Sequence, residues 1–241
     1  MPVGVLVNSF SLIFGGLLGG FFGHHLNDTF KDKMNMIFGV CSMGMGIASI
    51  IKMSYMPAVI FAVVLGTIVG LLLDFDRKLF KGGFIMQRYM SKIFPSKPDM
   101  PRKQFLNDLV TVIVLFCASG TGIYGSLVNG MTGDASILIS KSILDFFTAA
   151  IFACNLGFVV SAIALPQFVV FSILFYLAGV IVPLTTPAII SDFTACGGFL
   201  MVATGFRIIQ VKMFPTADMI PAMVLVMPIS WFWISFIVPL L

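Results

Sequence analysis

Lys141 and Asp145 stand four residues apart inside an apolar run, in the stretch KSILD. Four residues is about one turn of α-helix, so the two side chains share a face and can pair. Ionisable groups within a hydrocarbon layer are costly, and their default reading is a substrate, ion or proton site. The other reading is a buried ion pair that only fixes helix packing. The sequence leaves both open. At about 1.5 Å of rise per residue, Asp145 falls roughly 15 Å into the bilayer from the turn at 129–134, close to the midplane. Asn8 and Gln167 are further polar residues in apolar surroundings. Each either lines a cavity or hydrogen-bonds a neighbouring backbone. Asn155 lies off the Asp145 face and is expected to tie helices together. Arg207 is expected to snorkel towards a membrane surface. Asp108 and Asp192 fall at span starts, where a carboxylate complements the positive end of a helix. The segment GTGIYG at 120–125 has weak helix propensity. Unwinding there would free backbone groups for a substrate or an ion.

Other chemistries find no support in the sequence. There is no Walker A loop, no GxSxG, no HExxH and no dinucleotide fingerprint. No enzyme activity, catalytic residue or cofactor is expected, and an energy-coupling ATPase within this chain is excluded. Cys41, Cys117, Cys154 and Cys196 all lie in apolar segments without a CxxC pair. They are read as small buried residues rather than zinc or redox sites. His24 and His25 adjoin but lack a third ligand candidate, so no metal site is expected.

Composition sets the frame that must position these groups. The chain is 59% hydrophobic and 10% charged, and it contains no Glu. Its mean hydropathy is +1.08. A soluble domain carries about 25% charged residues, so a fold this apolar needs lipid as its solvent. Spans are expected at 3–23, 34–51, 58–73, 106–128, 135–163, 166–184, 193–211 and 219–241. They form one transmembrane domain, an all-α polytopic bundle of about eight transmembrane helices. The apolar N-terminus has no basic leader region, so it is read as the first span.

The linker at 74–103 orients the bundle. It holds eight of the fourteen Lys and Arg residues, which places it in the cytoplasm and both termini outside. The net charge of +4 is therefore topological, and no nucleic-acid partner is expected. Phe75, Leu79, Phe84, Ile85, Tyr89 and Ile93 recur among the basic residues. That pattern fits an amphipathic helix lying on the inner surface, held by apolar burial and anionic lipid. A solvated connector is the alternative. Three prolines between 95 and 101 end any such helix.

Internal repeats are visible. CSMGMGIASI at 41–50 aligns with CASGTGIYGS at 117–126, matching Cys41/Cys117, Gly44/Gly120, Gly46/Gly122 and Ile47/Ile123. VATGFRII at 202–209 is a weaker echo, with Gly205 at the second glycine. In this topology spans 1–3 and 6–8 would be inverted repeats, an arrangement that brings a site near the midplane. Convergence on small residues in packed helices is the competing explanation. Gly15, Gly16, Gly19, Gly20 and Gly23 in span 1, with Gly66 and Gly70 in span 3, allow close backbone approach within or between chains.

VNSFSLIFGGLLGG, CASGTGIYGSLVNG, KSILD, SAIALPQ and TACGGFLMVATGF, in this order and spacing, resemble the YdfK/YqgA-type family of uncharacterised bacterial membrane proteins. The likeness covers nearly the whole chain. Phe168 and Thr121 depart from residues common in that family. The resemblance implies a bacterial inner-membrane location and no known activity. Its motif positions fall here on Asn8, Gly120, Gly122, Lys141, Asp145 and Gln167, the candidate substrate- or ion-binding residues. The leading functional expectation is a secondary transporter or small-solute permease with a polar site near the midplane. An oligomeric channel and a non-transporting scaffold or partner subunit are the alternatives. The expected partners are the bilayer, a small solute or ion, and further copies of the chain.

Overall fold

The computed structural model describes residues 1–22, 27–93, 102–117 and 119–240. Gly23, His24, His25 and the prolines at 95–101 lie outside the described residues, as do the side chains of Tyr89, Ile93 and Asp108. Among the described residues eleven α-helices follow in order: α1 Val3–Phe22, α2 Asp28–Ile50, α3 Met56–Leu72, α4 Phe75–Ile93, α5 Arg102–Cys117, α6 Gly120–Thr132, α7 Ser136–Leu156, α8 Val159–Ala162, α9 Ala164–Ile181, α10 Pro187–Ile208 and α11 Ile220–Phe232. No strand occurs among them. Among the described residues seven helical segments are long and apolar enough to cross a membrane, or eight if the bent pair α3 and α4 counts as one span. The protein is thus an all-α polytopic membrane bundle.

Local chemistry sets the helix ends, and it moves several expected boundaries. Gly133 adopts a left-handed conformation (φ 78°) and ends α6, its N–H donating to Asn129 O. Gly157, at φ 74°, ends α7. The span expected to run to 163 therefore stops at Leu156, and the next begins at Val159 rather than at 166. Thr186 caps α10 and Pro187 follows at its first position. The helix thus starts six residues before the expected 193. The span expected at 106–128 is two helices, interrupted between Cys117 and Gly120.

The chain forms two compact units, Met1–Met36 with Arg77–Leu177, and Ile37–Asp76 with Ala178–Leu241. In the first unit, α1 sorts its residues by size. Gly4, Asn8, Leu12, Gly15 and Gly19 are buried along one stripe, while Phe10, Phe14, Leu18 and Phe21 are exposed. Lipid tails are as apolar as the large residues, so backbone packing through small residues drives the contact. A Cβ at Gly15 or Gly19 would run into the main chain of Phe146 or Ala150 in α7. Gly4 meets Leu138, so α1 and α7 run parallel. Leu12, Leu109, Ile113, Phe116, Ala149, Val160 and Ile163 belong to the core between α1, α5, α7 and α8. Helix α4 lays Gly83 against Val110 and Val114 of α5. Arg77, Lys78, Lys81, Phe84, Ile85 and Arg88 stay exposed.

The second unit is built on antiparallel pairs. Gly66 and Gly70 of α3 face Ala222 and Asp218 respectively, at and just before α11. Helices α2 and α10 meet reciprocally. A Cβ on Gly46 would lie 2.6 Å from Gly198 O, and one on Gly198 would lie 2.6 Å from Gly46 O. Gly39 and Gly205 repeat the exchange at 2.8 and 2.6 Å. Ser42 Oγ donates to Met201 O between these two points, at 3.0 Å. Pro228 lies inside α11, which passes into a π-helical turn at Trp233–Ile237. A proline removes a backbone donor, and local π geometry is one way membrane helices accommodate it.

Candidate functional site

Helix α7 places Lys141 and Asp145 mid-length on its buried face, with Leu138, Ser142 and Ala149. Lys141 Nζ donates to Asp145 Oδ1 at 2.7 Å and to Oδ2 at 2.5 Å. The residues are 4% and 6% exposed. At this depth water cannot screen the pair, so its neighbours decide its energetics.

Those neighbours come from three other elements. Asn8, five residues into α1, donates its Nδ2 to Asp145 Oδ2 at 2.8 Å. The glycine contact of α1 with α7 brings the amide this close. Gln167 of α9 points Nε2 at Asp145 Oδ2 (3.4 Å) and at Phe116 O (3.3 Å). Phe116 lies in the last turn of α5, where carbonyls lack an in-helix partner. Its ring also faces the ammonium, 5.9 Å from Nζ to the centroid. A carboxylate accepts only, so both amides turn their NH2 groups towards it. Their carbonyl oxygens, Asn8 Oδ1 and Gln167 Oε1, are buried and have no hydrogen-bond partner among the described residues.

The structure therefore joins Asn8, Lys141, Asp145 and Gln167 in one network. The segment at 120–125 is not unwound as expected: Gly120 and Gly122 lie in the first turn of α6, just after the helix break at Ser119. Ser119 is extended and caps α6 by accepting from Gly122 N at 3.2 Å. Ser126 Oγ donates to Gly122 O at 2.7 Å. The bare α-carbon of Gly122 admits the Phe171 ring of α9. The matching glycine motif at 41–50 lies within the unbroken α2.

Sequence reasoning missed the Phe116 carbonyl, which is exposed as a partner only by the break. It also misplaced Asp192. This residue is not a charge at its own helix start but lies five residues into α10, fully buried. Its Oδ1 accepts from the N–H groups of Ser54 and Tyr55 at 2.9 Å, and its Oδ2 from Ser230 Oγ at 2.5 Å. It thus anchors the turn that leads into α3, a neighbouring helix. The Thr186–Pro187 capping signal could have located the helix start and shown Asp192 to be internal. Asn155 is exposed rather than tying helices together, and Cys41 is exposed rather than buried. Arg207 is half-buried and donates to Thr216 Oγ1 at 3.0 Å. No cluster of three metal-binding side chains occurs among the described residues.

A buried ion pair, braced by amides from two further helices beside a broken one, defines a polytopic membrane protein with a polar interior site. The chain belongs to the family described as Protein of unknown function (DUF554), whose profile matches residues 3–231. It is 42% identical over 233 residues to the "Uncharacterized protein YqgA" of Escherichia coli (strain K12), covering 97% of this chain and 98% of that one. It is 24% identical over 226 residues to the "Uncharacterized membrane protein YdfK" of Bacillus subtilis (strain 168), covering 92% and 93%. No solved structure matches the chain.

Proposed function

We propose that the protein is a secondary transporter or small-solute permease of the bacterial inner membrane, working through the Lys141–Asp145 site. One observation carries the reading: a buried ion pair mid-way along α7 is met by amides from α1 and α9 whose carbonyl oxygens remain unsatisfied among the described residues. A pair kept only for packing gains nothing from orphaned acceptors, since each unpaired buried polar group is destabilising. A passing ligand with hydrogen-bond donors or positive charge would satisfy them. The α5–α6 break supports the same reading, because discontinuous helices at mid-depth are a common feature of transporter sites.

In this proposal the basic face of α4 lies on the cytoplasmic surface and both termini lie outside. The helix directions within each unit support the parity this requires. The first and fifth spans run parallel, while the second and seventh, and the third and eighth, run antiparallel. The reciprocal contact of α2 and α10 further supports an inverted pair, α2–α3 with α10–α11. Both α3 and α11 open with a proline in the first turn, Pro57 and Pro221.

The test is osmotic swelling of proteoliposomes in iso-osmotic glycerol, urea, glycine and alanine, with Asp145→Asn as control. Saturable swelling by at least one solute, lost in the variant, is expected. Equal swelling of the two proteins removes Asp145 from the mechanism. Rates linear in concentration would support an open channel, and no swelling above empty vesicles would support a scaffold.

A further inference from the structure

Polar and apolar layers alternate along the first unit. The amides of Asn8 and Gln167 turn their NH2 groups to Asp145, so Asn8 Oδ1 and Gln167 Oε1 face away from it. Ser9 joins them at this level. Gly20 of α1 meets Phe158, Gly16 meets Ser161 of α8, and Val5 packs with Phe171 of α9. Helix α1 therefore runs antiparallel to α8 and α9, in a register that sets Ser9 beside Gln167. A hydroxyl in an apolar helix can donate to the carbonyl one turn back, as Ser126 and Ser142 do. Ser9 Oγ is buried and makes no hydrogen bond among the described residues. Buried polar atoms of this kind hold water or a polar guest.

Apolar layers close this polar level on both sides, and they differ in depth. Towards the C-terminal ends of α1 and α7 lie Leu12, Ala149, Ala153, Leu156, Val160 and Ile163, in one core with α5. From Ala149 to Leu156 alone that core is about 10 Å deep. Towards the turn at 129–134 the layer is a single residue deep on each helix. Val5, Leu138 and Phe171 form it, each fully buried and each about one turn from Asn8, Lys141 and Gln167 respectively. Beyond it the chain is polar again, at Asn129, Thr132 and Asp134.

The thin layer is seated on glycines. A Cβ on Gly122 would strike the Phe171 ring, and one on Gly125 or Gly4 would lie 3.0 Å from the Leu138 side chain. Gly122 and Gly125 both belong to α6, which is jointed at each end, by the extended Ser119 before it and the left-handed Gly133 after it. A tilt of α6 about these joints withdraws both seats together.

We propose that Val5, Leu138 and Phe171 gate the Lys141–Asp145 site on the side of the 129–134 turn, with Phe171 as the moving part, released by a tilt of α6. The deeper core keeps the opposite side closed. The inference rests on the permease reading and gives that site its route of entry. An apolar constriction excludes water when closed and admits it once the opening widens. In the orientation proposed above, the gate faces outside.

The experiment introduces Ser9→Cys into a chain whose Cys41, Cys117, Cys154 and Cys196 are replaced by Ala. It follows the reaction of the new thiol with a charged, membrane-impermeant methanethiosulfonate, in spheroplasts and in inside-out vesicles. With the gate intact the reaction should be slow from both sides. Phe171→Ala should speed it at least tenfold in spheroplasts alone, and so should Gly122→Ala, whose added Cβ displaces the ring. Ile163→Ala trims one side chain of the deep core and should leave both rates unchanged. Thermal unfolding of the detergent-solubilised variants identifies those that are folded, and Phe171→Leu and Leu138→Ala replace any that is not. Acceleration confined to inside-out vesicles would support the gate and reverse the orientation. No acceleration by any folded gate variant, or equal acceleration by Ile163→Ala, overturns the inference. If Asp145-dependent swelling persists in that case, the permease reading stands without this gate. Acceleration without such swelling keeps the gate over the site and removes the permease reading.

Discussion

Replacing Lys141 with Met removes the cation bound to Asp145 while keeping most of the side-chain volume. The carboxylate is then buried, at 6% exposure, with two amide donors and no counter-charge. Breaking a buried pair in this way costs about 3–5 kcal/mol. For a chain of this length each kcal/mol moves the midpoint by about 2–4 °C, so the fall should be roughly 6–20 °C. Asp145→Asn is the reciprocal change and strands the ammonium instead. The double variant strands neither, and Asn8 and Gln167 can then pair with the amide introduced at position 145. It should be less destabilised than the sum of the singles by about 2–3 kcal/mol, at the upper end of couplings between touching residues. A suitable assay is thermal unfolding of the detergent-solubilised protein read by a thiol-reactive dye, on a Cys41→Ala background. Cys117 and Cys196 are buried and free, so they report loss of the fold, while the exposed Cys41 would only add background. Single variants that add within about 0.5 kcal/mol would refute the reasoning, because the two groups would then not act as a pair.

Other features yield separate expectations. Gly19→Leu would force a side chain against the Ala150 backbone; overpacking of this kind costs about 1–3 kcal/mol or more, and the same thermal assay should show it. Asp192→Ala leaves three donors without their acceptor, at about 1–3 kcal/mol each when buried. Hydrogen exchange should rise at Ser54 and Tyr55, while Asp145-dependent swelling is lost only if the fold is. A reporter fused at Lys97 should be cytoplasmic, and an external signal would overturn the orientation. Replacing Arg77, Lys78, Lys81 and Arg88 with Gln should weaken co-purification of anionic lipid, and unchanged lipid content would argue for a solvated connector.

What could be read in advance followed helical geometry. Lys141 and Asp145 needed only a four-residue interval in an apolar run. The helices themselves needed only hydropathy. The partners did not follow, because they depend on how helices cross. Asn8 meets Asp145 since Gly15 and Gly19 let α1 lie directly on the α7 backbone, and nothing in the Asn8 neighbourhood names α7. Gln167 stood out only as polar; its reach to Phe116 depends on a helix break that a glycine-rich stretch permits without requiring. The identical spacing of small residues in α2 and in α5–α6 makes the point, for one stretch is a continuous helix and the other is not. Ser54, Tyr55 and Ser230 drew no notice beforehand because ordinary hydroxyl and backbone donors become significant only beside a buried carboxylate.

The contact of α2 with α10 has a mechanical consequence. Interdigitated large side chains act as gear teeth, and displacement along the axis must lift one helix over the other. Gly39, Gly46, Gly198 and Gly205 are the notches of this gear, and Ile209, Val202, Ile50 and Met43 of the opposing helix are the teeth seated over them. The seam therefore resists axial shear as well as separation, and the two helices move as one piece. The bond from Ser42 Oγ to Met201 O adds to the same register. Ser42→Ala would remove that bond and leave the gearing intact.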